Sequence, residues 1–304
     1  MADLKVQVAG VSMRSPVIAA SGTYGFGREY GKYIPLSELG GISVKGLTLT
    51  PRQGNPPPRI AETPSGILNS VGLQNPGVHA FIRDELPFLK AHPGLAVFAN
   101  AAGSTVEEYG EMAAILSETD VDGIEANVSC PNVKCGGAAF GTDPDVLARV
   151  VRCMRRQCKK PLIVKLSPNV TAIALMARIA EAEGADGVSL INTLMGMAVD
   201  IRTKKPILGN NAGGLSGPAV KPIALKMVFD VSRAVSIPVI GMGGIVTGED
   251  AIAFFLCGAS AVMVGTGNFT DPFCCKKVTD EIADFMDSNG YTQVSDMVGK
   301  LELN

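Results

Sequence analysis

The sequence predicts an α/β protein that forms a single (β/α)8 barrel domain over residues 1–304, with an N-terminal β-hairpin and long loops at the C-terminal face of the barrel. Three observations predict this fold. Short apolar runs alternate with amphipathic stretches along the chain, which is the pattern of a parallel sheet covered by helices. Eight such units occur, which is the number that closes a barrel. No shift in composition marks a linker or a second domain.

The individual elements follow from periodicity and from turn residues. A hairpin is predicted at residues 5–8 and 11–14, around Ala9-Gly10. Eight strands are predicted at residues 17–20, 41–45, 96–100, 123–127, 162–166, 187–192, 239–241 and 261–265. The clearest helices are predicted at residues 78–91, 105–117, 143–157, 171–183, 221–235, 247–257 and 273–289. Helix starts are expected at Thr105, Asp143, Thr171 and Thr247, whose side chains can accept hydrogen bonds from free backbone N–H groups.

Composition indicates a globular protein and excludes several other classes. Hydrophobic residues make up 46% of the chain and charged residues 18%, which is typical of a large buried core. The net charge of −2 and the lack of a Lys/Arg run argue against nucleic acid binding. The N-terminus lacks the apolar stretch of a signal peptide, and the longest apolar run, residues 251–265, is too short to span a membrane. Seven cysteines, an odd number, argue against a disulfide framework and favour the cytoplasm.

Two long segments, residues 46–77 and 195–218, interrupt the regular alternation. Both follow the C-terminal ends of predicted strands, where barrel enzymes carry their active sites. Long ordered loops in compact domains are usually functional. The sequence therefore places a candidate active site at this end of the barrel.

Glycines follow the seventh and eighth predicted strands, at residues 241–244 and 265–267. Barrels often bind phosphate at these two loops, because glycine lets backbone N–H groups approach the ligand closely. The alternative is that the glycines only form tight turns. Their occurrence after both strands favours a phosphorylated ligand.

Cys130 is predicted to lie on a loop at the barrel mouth, since Pro131 prevents regular structure from continuing. Such a thiol, with an ordinary pKa of about 8.5, can serve as a catalytic base. The alternative is an ordinary semi-buried cysteine. A Cys–His pair is not expected, because His79 and His92 lie on or beside a helix outside the barrel.

The spacing of four cysteines also permits a metal cluster: Cys130 and Cys135 are five positions apart, as are Cys153 and Cys158. The helix predicted from Asp143 argues against it. At the rise of an α-helix, Cys158 lies roughly 20 Å along it from the loop that carries Cys130. No metal site is predicted.

Polar side chains stand at the ends of several predicted strands. Lys45 and Lys165 end strands whose interior positions should be apolar, and two lysines at one mouth can stabilise developing negative charge such as that of a reduced flavin. The alternative is that these lysines reach out to solvent. Asn100, Asn127 and Asn192 offer donors and acceptors that suit a cyclic ureide.

Several segments resemble class 1 dihydroorotate dehydrogenases: residues 40–46 (GGISVKG), 69–77 (NSVGLQNPG) and 127–132 (NVSCPN). Residues 136–144 (GGAAFGTDP) and the Asn192-Thr193 pair resemble the NAD-linked 1B branch in particular. The likeness extends along essentially the whole chain, and the motifs occur in order on the expected strands.

The resemblance implies a set of site residues. Cys130 would remove a proton from C5 of dihydroorotate while C6 delivers hydride to one FMN per chain, a step of de novo pyrimidine synthesis. The implied substrate contacts are Lys45, Asn69, Ser70, Val71, Gly72, Leu73, Asn127, Asn192 and Thr193. The implied FMN contacts are Ser21, Lys45, Gly46, Asn100, Asn127, Lys165, Ile191, Gly217, Gly243, Gly244, Gly265 and Thr266. The resemblance assigns no role to Cys135.

The 1B resemblance also implies partners. A homodimer of this chain would join two electron-transfer subunits that carry FAD and a [2Fe–2S] cluster and reduce NAD+. This chain contains no strand–GxGxxG–helix fingerprint of its own for a dinucleotide. Four alternatives stay open: a fumarate-dependent 1A-type enzyme, a dihydropyrimidine dehydrogenase-like reductase, a flavin-free phosphate-binding lyase or isomerase, and a non-catalytic scaffold.

Overall fold

A computed structural model of the chain describes residues 2–128 and 140–304. Within them lie sixteen strands: β1 (Val6–Val8), β2 (Val11–Met13), β3 (Val17–Ala19), β4 (Gly41–Ser43), β5 (Ile60–Thr63), β6 (Gly66–Asn69), β7 (Ala96–Ala101), β8 (Gly123–Asn127), β9 (Leu162–Lys165), β10 (Gly187–Leu190), β11 (Leu194–Gly196), β12 (Val199–Asp200), β13 (Lys205–Pro206), β14 (Gly213–Ser216), β15 (Val239–Met242) and β16 (Ala261–Val264).

The α-helices of the described residues are α1 (Val78–Ala80), α2 (Leu86–Lys90), α3 (Val106–Ser117), α4 (Pro144–Gln157), α5 (Ile173–Ala182), α6 (Lys221–Ser232), α7 (Gly248–Leu256), α8 (Gly267–Thr270) and α9 (Cys274–Asn289). A π-helical turn, Phe81–Glu85, separates α1 from α2. Short 3-10 segments lie at Tyr30–Lys32, Leu36–Glu38, Pro218–Val220 and Val294–Asp296.

Eight parallel strands close into a barrel in the order β3, β4, β7, β8, β9, β10, β15 and β16. This confirms the predicted (β/α)8 fold. All eight predicted strands are present, and each begins at the predicted residue and ends within two residues of the predicted end.

The barrel strands are buried on both faces, because helices cover the outside and side chains fill the inside. In β8, Ile124 and Ala126 belong to the outer core against the helices, whereas Glu125 and Asn127 alternate with them along the strand. The predicted hairpin, formed by β1 and β2, closes the N-terminal end. Its Val8 packs into an inner apolar cluster that also contains Phe98 from β7.

Most of the predicted helix starts are confirmed. The side chains of Thr105, Asp143 and Thr247 accept backbone N–H hydrogen bonds at the starts of α3, α4 and α7. The prediction for Thr171 was wrong: α5 begins at Ile173, and its N-cap, Ala172, makes no side-chain hydrogen bond. Thr171 lies one position too early to cap this helix.

The helix predicted at residues 78–91 is not continuous. Pro87 stands in the first turn of α2, immediately after the π-helical turn. Proline has no N–H to donate to the preceding turn and its ring disfavours a regular helix there. The segment is therefore helical as the apolar periodicity predicted, but the prediction of a single regular helix was wrong.

The two long segments meet in a second sheet, which the sequence analysis did not predict. Strands β5 and β6 from residues 46–77 join β14 and β11 from the other segment in the order β11-β14-β6-β5. We refer to these four antiparallel strands as the mouth sheet. The pairing of Asn69 with Gly214 joins its two halves.

No helix in the described part of the chain is long and apolar enough to span a membrane.

Candidate active site

A cavity of about 370 Å³ lies where the C-terminal ends of the barrel strands meet the mouth sheet. Its volume is in the usual range of small-molecule sites. Its walls include most of the residues predicted to bind substrate or cofactor: Ser21, Lys45, Gly46, Asn69, Val71, Gly72, Leu73, Asn127, Lys165, Ile191, Asn192, Thr193, Gly217, Gly243, Gly244, Gly265 and Thr266.

Two predicted contacts lie just behind these walls. Asn100 is fully buried, and its side-chain oxygen accepts a hydrogen bond from Asn127 Nδ2 (3.2 Å). Ser70 is also buried, and its hydroxyl oxygen accepts from Asn55 Nδ2 (3.2 Å). Asn100 thereby supports Asn127, which lines the cavity, and Ser70 stands in the sequence between two lining residues, Asn69 and Val71.

Cys130, the predicted base, and Cys135 lie outside the described residues. The last barrel residue before them, Asn127, is described and lines the cavity. Its backbone oxygen accepts a hydrogen bond from Tyr109 Oη (2.8 Å), which ties the end of β8 to helix α3. The chain thus enters the segment that carries Cys130 from a fixed point on the cavity wall.

One end of the cavity is suited to a phosphate group. Gly243 (φ +131°) and Gly244 (φ +79°) follow β15 in conformations that other residues rarely adopt. A Cβ atom on Gly244 would lie 2.9 Å from the Gly217 carbonyl oxygen, so this turn has no room for a side chain. Within the described residues, neither glycine N–H donates to a protein oxygen. The turn therefore offers free backbone donors of the kind that bind phosphate.

The glycine turn after β15 is anchored by Asp250 in the first turn of α7. Its carboxylate accepts hydrogen bonds from the N–H groups of Val246 (2.9 Å) and Thr247 (3.0 Å) and from Lys221 Nζ. Burial alone would raise the pKa of Asp250, but the hydrogen bonds from Lys221, Val246 and Thr247 outweigh it and lower that pKa. This ionised cap fixes the loop that follows β15.

The cavity carries a positive charge. Lys45 and Lys165 line it, and no acidic side chain does so among the described residues. Lys165 is only 6% exposed, and its Nζ has no hydrogen-bond or ion-pair partner in the described part of the chain. Because Lys165 lines the cavity, a bound ligand can supply an anionic or polar partner for this ammonium. With the glycine turn, this lysine fits an anionic phosphorylated cofactor such as FMN.

The side-chain amides of Asn192, Asn127 and Asn100 form a hydrogen-bonded row at the cavity. Asn192 Nδ2 donates to Asn127 Oδ1 (3.3 Å), and Asn127 Nδ2 donates to Asn100 Oδ1. Asn100 Nδ2 then donates to Glu125 Oε2 (2.6 Å), which is completely buried. Glu125 was not predicted as a site residue, although a carboxylate within a predicted buried strand is a signal for one.

Other wall-forming residues were also missed. Ile67, Leu215 and Ser216 reach the cavity from the mouth sheet, whose strand pairing was not predicted. Asn169 was missed as well: its Nδ2 donates to the Thr193 oxygen (3.0 Å) and its Oδ1 accepts from Met195 N–H (2.9 Å). Asn169 therefore holds the loop that leaves the sixth barrel strand.

The metal cluster that the cysteine spacing permits would include Cys130 and Cys135, which lie outside the described residues, so the structure does not test it. Within the described residues, no group of three or more His, Cys, Asp or Glu side chains is arranged to hold a metal ion. Cys153 and Cys158 are free thiols, and Cys158 Sγ donates to the Lys160 oxygen (3.2 Å).

Comparison with known proteins identifies the family. The model of the family described as dihydroorotate dehydrogenase matches residues 3–286. This chain belongs to the dihydroorotate dehydrogenase family. The family predicted from the sequence motifs is thereby confirmed, and the flavin-free lyase or isomerase and the non-catalytic scaffold are set aside.

Close relatives of this dihydroorotate dehydrogenase family member carry one name: "Dihydroorotate dehydrogenase B (NAD(+)), catalytic subunit". The protein from Thermoanaerobacter pseudethanolicus is 53% identical over 302 residues, covering 99% of this chain and 100% of that protein. The protein from Alkaliphilus metalliredigens is 52% identical over 299 residues, covering 98% and 99%. The protein from Geobacillus kaustophilus is 52% identical over 301 residues, covering 99% and 96%. The predicted resemblance to the NAD-linked branch is confirmed.

Proposed function

We propose that this chain is the catalytic subunit of an NAD-linked dihydroorotate dehydrogenase, which oxidises (S)-dihydroorotate to orotate in pyrimidine biosynthesis. The observation that carries the proposal is the positively charged cavity at the barrel mouth, lined by the residues that the family motifs single out. The full-length similarity to proteins named as NAD(+) catalytic subunits supports the substrate and the branch.

The chain's own residues divide the work of the reaction. When bound, FMN supplies the hydride acceptor for C6 of dihydroorotate. Cys130, which lies outside the described residues, acts as the base that takes the proton from C5. Lys165 stabilises negative charge in the cavity, because a largely buried side chain holds its ammonium at the cavity wall.

The substrate contacts lie on two sides of the cavity. Asn127 and Asn192 offer amide donors and acceptors from the barrel to the ureide ring. Asn69 and residues 70–73 approach from the mouth sheet and the turn that follows it. Lys45, which also lines the cavity, supplies a positive charge for the substrate carboxylate.

A partner subunit completes the electron path. We assign FAD and a [2Fe–2S] cluster to that subunit, in a heterotetramer of two catalytic and two electron-transfer subunits built on a dimer of this chain. The word "subunit" in the relatives' names supports a partner. We place the single-domain catalytic chain in the cytoplasm.

Orotate formation with different acceptors tests this function. The FMN-loaded chain should oxidise dihydroorotate with an artificial dye, and with NAD+ only after the electron-transfer subunit is added. Dihydrouracil should not replace dihydroorotate. Turnover with fumarate by the chain alone would instead indicate a 1A-type enzyme, and preferential turnover of dihydrouracil would indicate a dihydropyrimidine dehydrogenase-like enzyme.

A further inference from the structure

The buried carboxylate of Glu125 has no role in the proposed reaction. It lies on β8 inside the barrel and is 0% exposed. Burying a carboxylate is unfavourable unless hydrogen bonds replace its hydration. A group of this kind beneath a ligand cavity therefore calls for a physical reason.

Three neighbouring side chains supply the hydrogen bonds. Ser43 Oγ (2.6 Å) and Asn100 Nδ2 (2.6 Å) donate to Oε2 of Glu125, and Ser189 Oγ (2.7 Å) donates to Oε1. In each of these contacts an oxygen of Glu125 is the acceptor. The NH2 group of Asn100, and not its carbonyl oxygen, therefore faces Glu125.

The orientation of Asn100 determines the orientation of the next two amides. With its NH2 directed to Glu125, Asn100 presents Oδ1 to Asn127, which donates its own NH2 to that oxygen. Asn127 then presents Oδ1 to the NH2 of Asn192. At the far end, the Thr193 backbone N–H, which can only donate, contacts Asn192 Oδ1 (2.8 Å). The acceptor Glu125 at one end and the donor N–H of Thr193 at the other therefore select the same orientation of all three amides.

We propose that Glu125 is a positioning residue that fixes the amide orientations of Asn100, Asn127 and Asn192 and so determines how the cavity recognises its cyclic ureide substrate. The substrate class rests on the proposed function. A cyclic ureide alternates N–H donors and C=O acceptors, so an inverted amide would place like groups opposite each other. Such a mismatch leaves buried polar groups unpaired and weakens binding.

Two substitutions separate orientation from charge. Glu125→Gln removes the charge but can keep the contacts, because its amide oxygen can accept from Ser43 and Asn100 while its NH2 donates to the Ser189 hydroxyl. The flipped amide would set two NH2 groups against each other at Asn100. Glu125→Asp keeps the charge but shortens the side chain by one methylene, which withdraws the acceptor from Asn100. Ser189→Ala is the matched control, since it removes a donor from the opposite oxygen only.

The experiment measures orotate affinity by calorimetry on the FMN-loaded protein, together with the melting temperature of each variant. We expect Glu125→Asp to weaken orotate binding by about tenfold or more, the weight of a mispaired buried polar group. Glu125→Gln and Ser189→Ala should stay within about threefold of wild type. Weakened binding in Glu125→Gln together with wild-type affinity in Glu125→Asp would overturn the assignment in favour of a role for charge. Lower melting temperatures with unchanged orotate affinity would overturn it in favour of a purely structural role.

A second variant covers the case in which Glu125→Asp does not fold. Asn100→Ala removes the amide that connects Glu125 to Asn127. It should weaken orotate binding to a similar extent. Unchanged orotate affinity in Asn100→Ala would refute the proposal. A wild-type protein that fails to bind orotate would instead refute the proposed function, and this assignment with it.

Discussion

The two ends of the barrel interior are built from the same eight strands but from different kinds of side chain. At the N-terminal end, Ile18, Phe98 and Ile163 form an apolar cluster closed by the β1–β2 hairpin. Toward the C-terminal end, the interior holds Glu125, Asn100, Asn127 and Lys165, all buried. The apolar end stabilises the fold through buried apolar surface. The polar end contributes less apolar burial and instead holds the binding groups in place. Substitutions at the two ends should therefore change different measurements.

The largest expected effect is at the polar end, at Cys130. Cys130→Ser should slow the reduction of bound FMN by dihydroorotate by about two to four orders of magnitude, because a serine hydroxyl is a much weaker base near neutral pH. Stopped-flow absorbance measures this rate. FMN content and melting temperature should match those of wild type. An unchanged rate would remove Cys130 from the reaction.

Phe98→Ala tests the apolar end. Phe98 is fully buried in the inner cluster, so the truncation should lower the free energy of unfolding by about 3–5 kcal/mol. Urea denaturation measures the loss, and orotate affinity of the folded fraction should change little. A variant with near wild-type stability and weak orotate binding would contradict the division of tasks.

Lys165→Met should give the opposite pattern. Losing the ammonium should weaken FMN binding by about ten- to hundredfold. The protein without FMN should be no less stable than wild type, since methionine has a similar length and can keep the apolar contacts of the buried lysine side chain. FMN titration and melting curves measure the two effects. Lys226→Ala is the control, because Lys226 lies on the surface in an ion pair with Asp230. A less stable apoprotein with unchanged FMN affinity would contradict the assignment.

The smallest expected effects concern helix starts outside the barrel. Thr247→Ala should lower the free energy of unfolding by about 1 kcal/mol, because Thr247 caps α7. Thr171→Ala should change it by less than about 0.5 kcal/mol, because Thr171 caps no helix. Equal losses in parallel urea denaturations would show that the two threonines do not differ as the structure indicates.

The elements that the sequence predicted well are those determined by local patterns. The barrel strands are apolar runs bounded by turn residues, and Thr105, Asp143 and Thr247 act through neighbouring N–H groups. The mouth sheet could not be predicted in this way. Its central contact joins residues 66–69 to residues 213–216, and such a pairing leaves no periodic signal in either short strand.

The residues of the candidate site likewise fall into those that could be predicted from the sequence and those that could not. Strand-end residues such as Lys45 and Asn127 could be assigned to the mouth from the fold and the family motifs, and they do line one cavity. The roles of Glu125 and Asn169 depend on hydrogen bonds between side chains from different elements. Those partners are known only once the strands have been closed into a barrel.

The central claim is that the barrel mouth oxidises dihydroorotate through a bound flavin. The most direct test is the visible absorbance of the purified chain, recorded without oxygen before and after addition of dihydroorotate. We expect a yellow protein whose visible flavin absorbance bleaches with dihydroorotate and not with dihydrouracil. A protein that stays colourless when FMN is supplied, or a yellow protein that dihydroorotate leaves unbleached, would contradict the account.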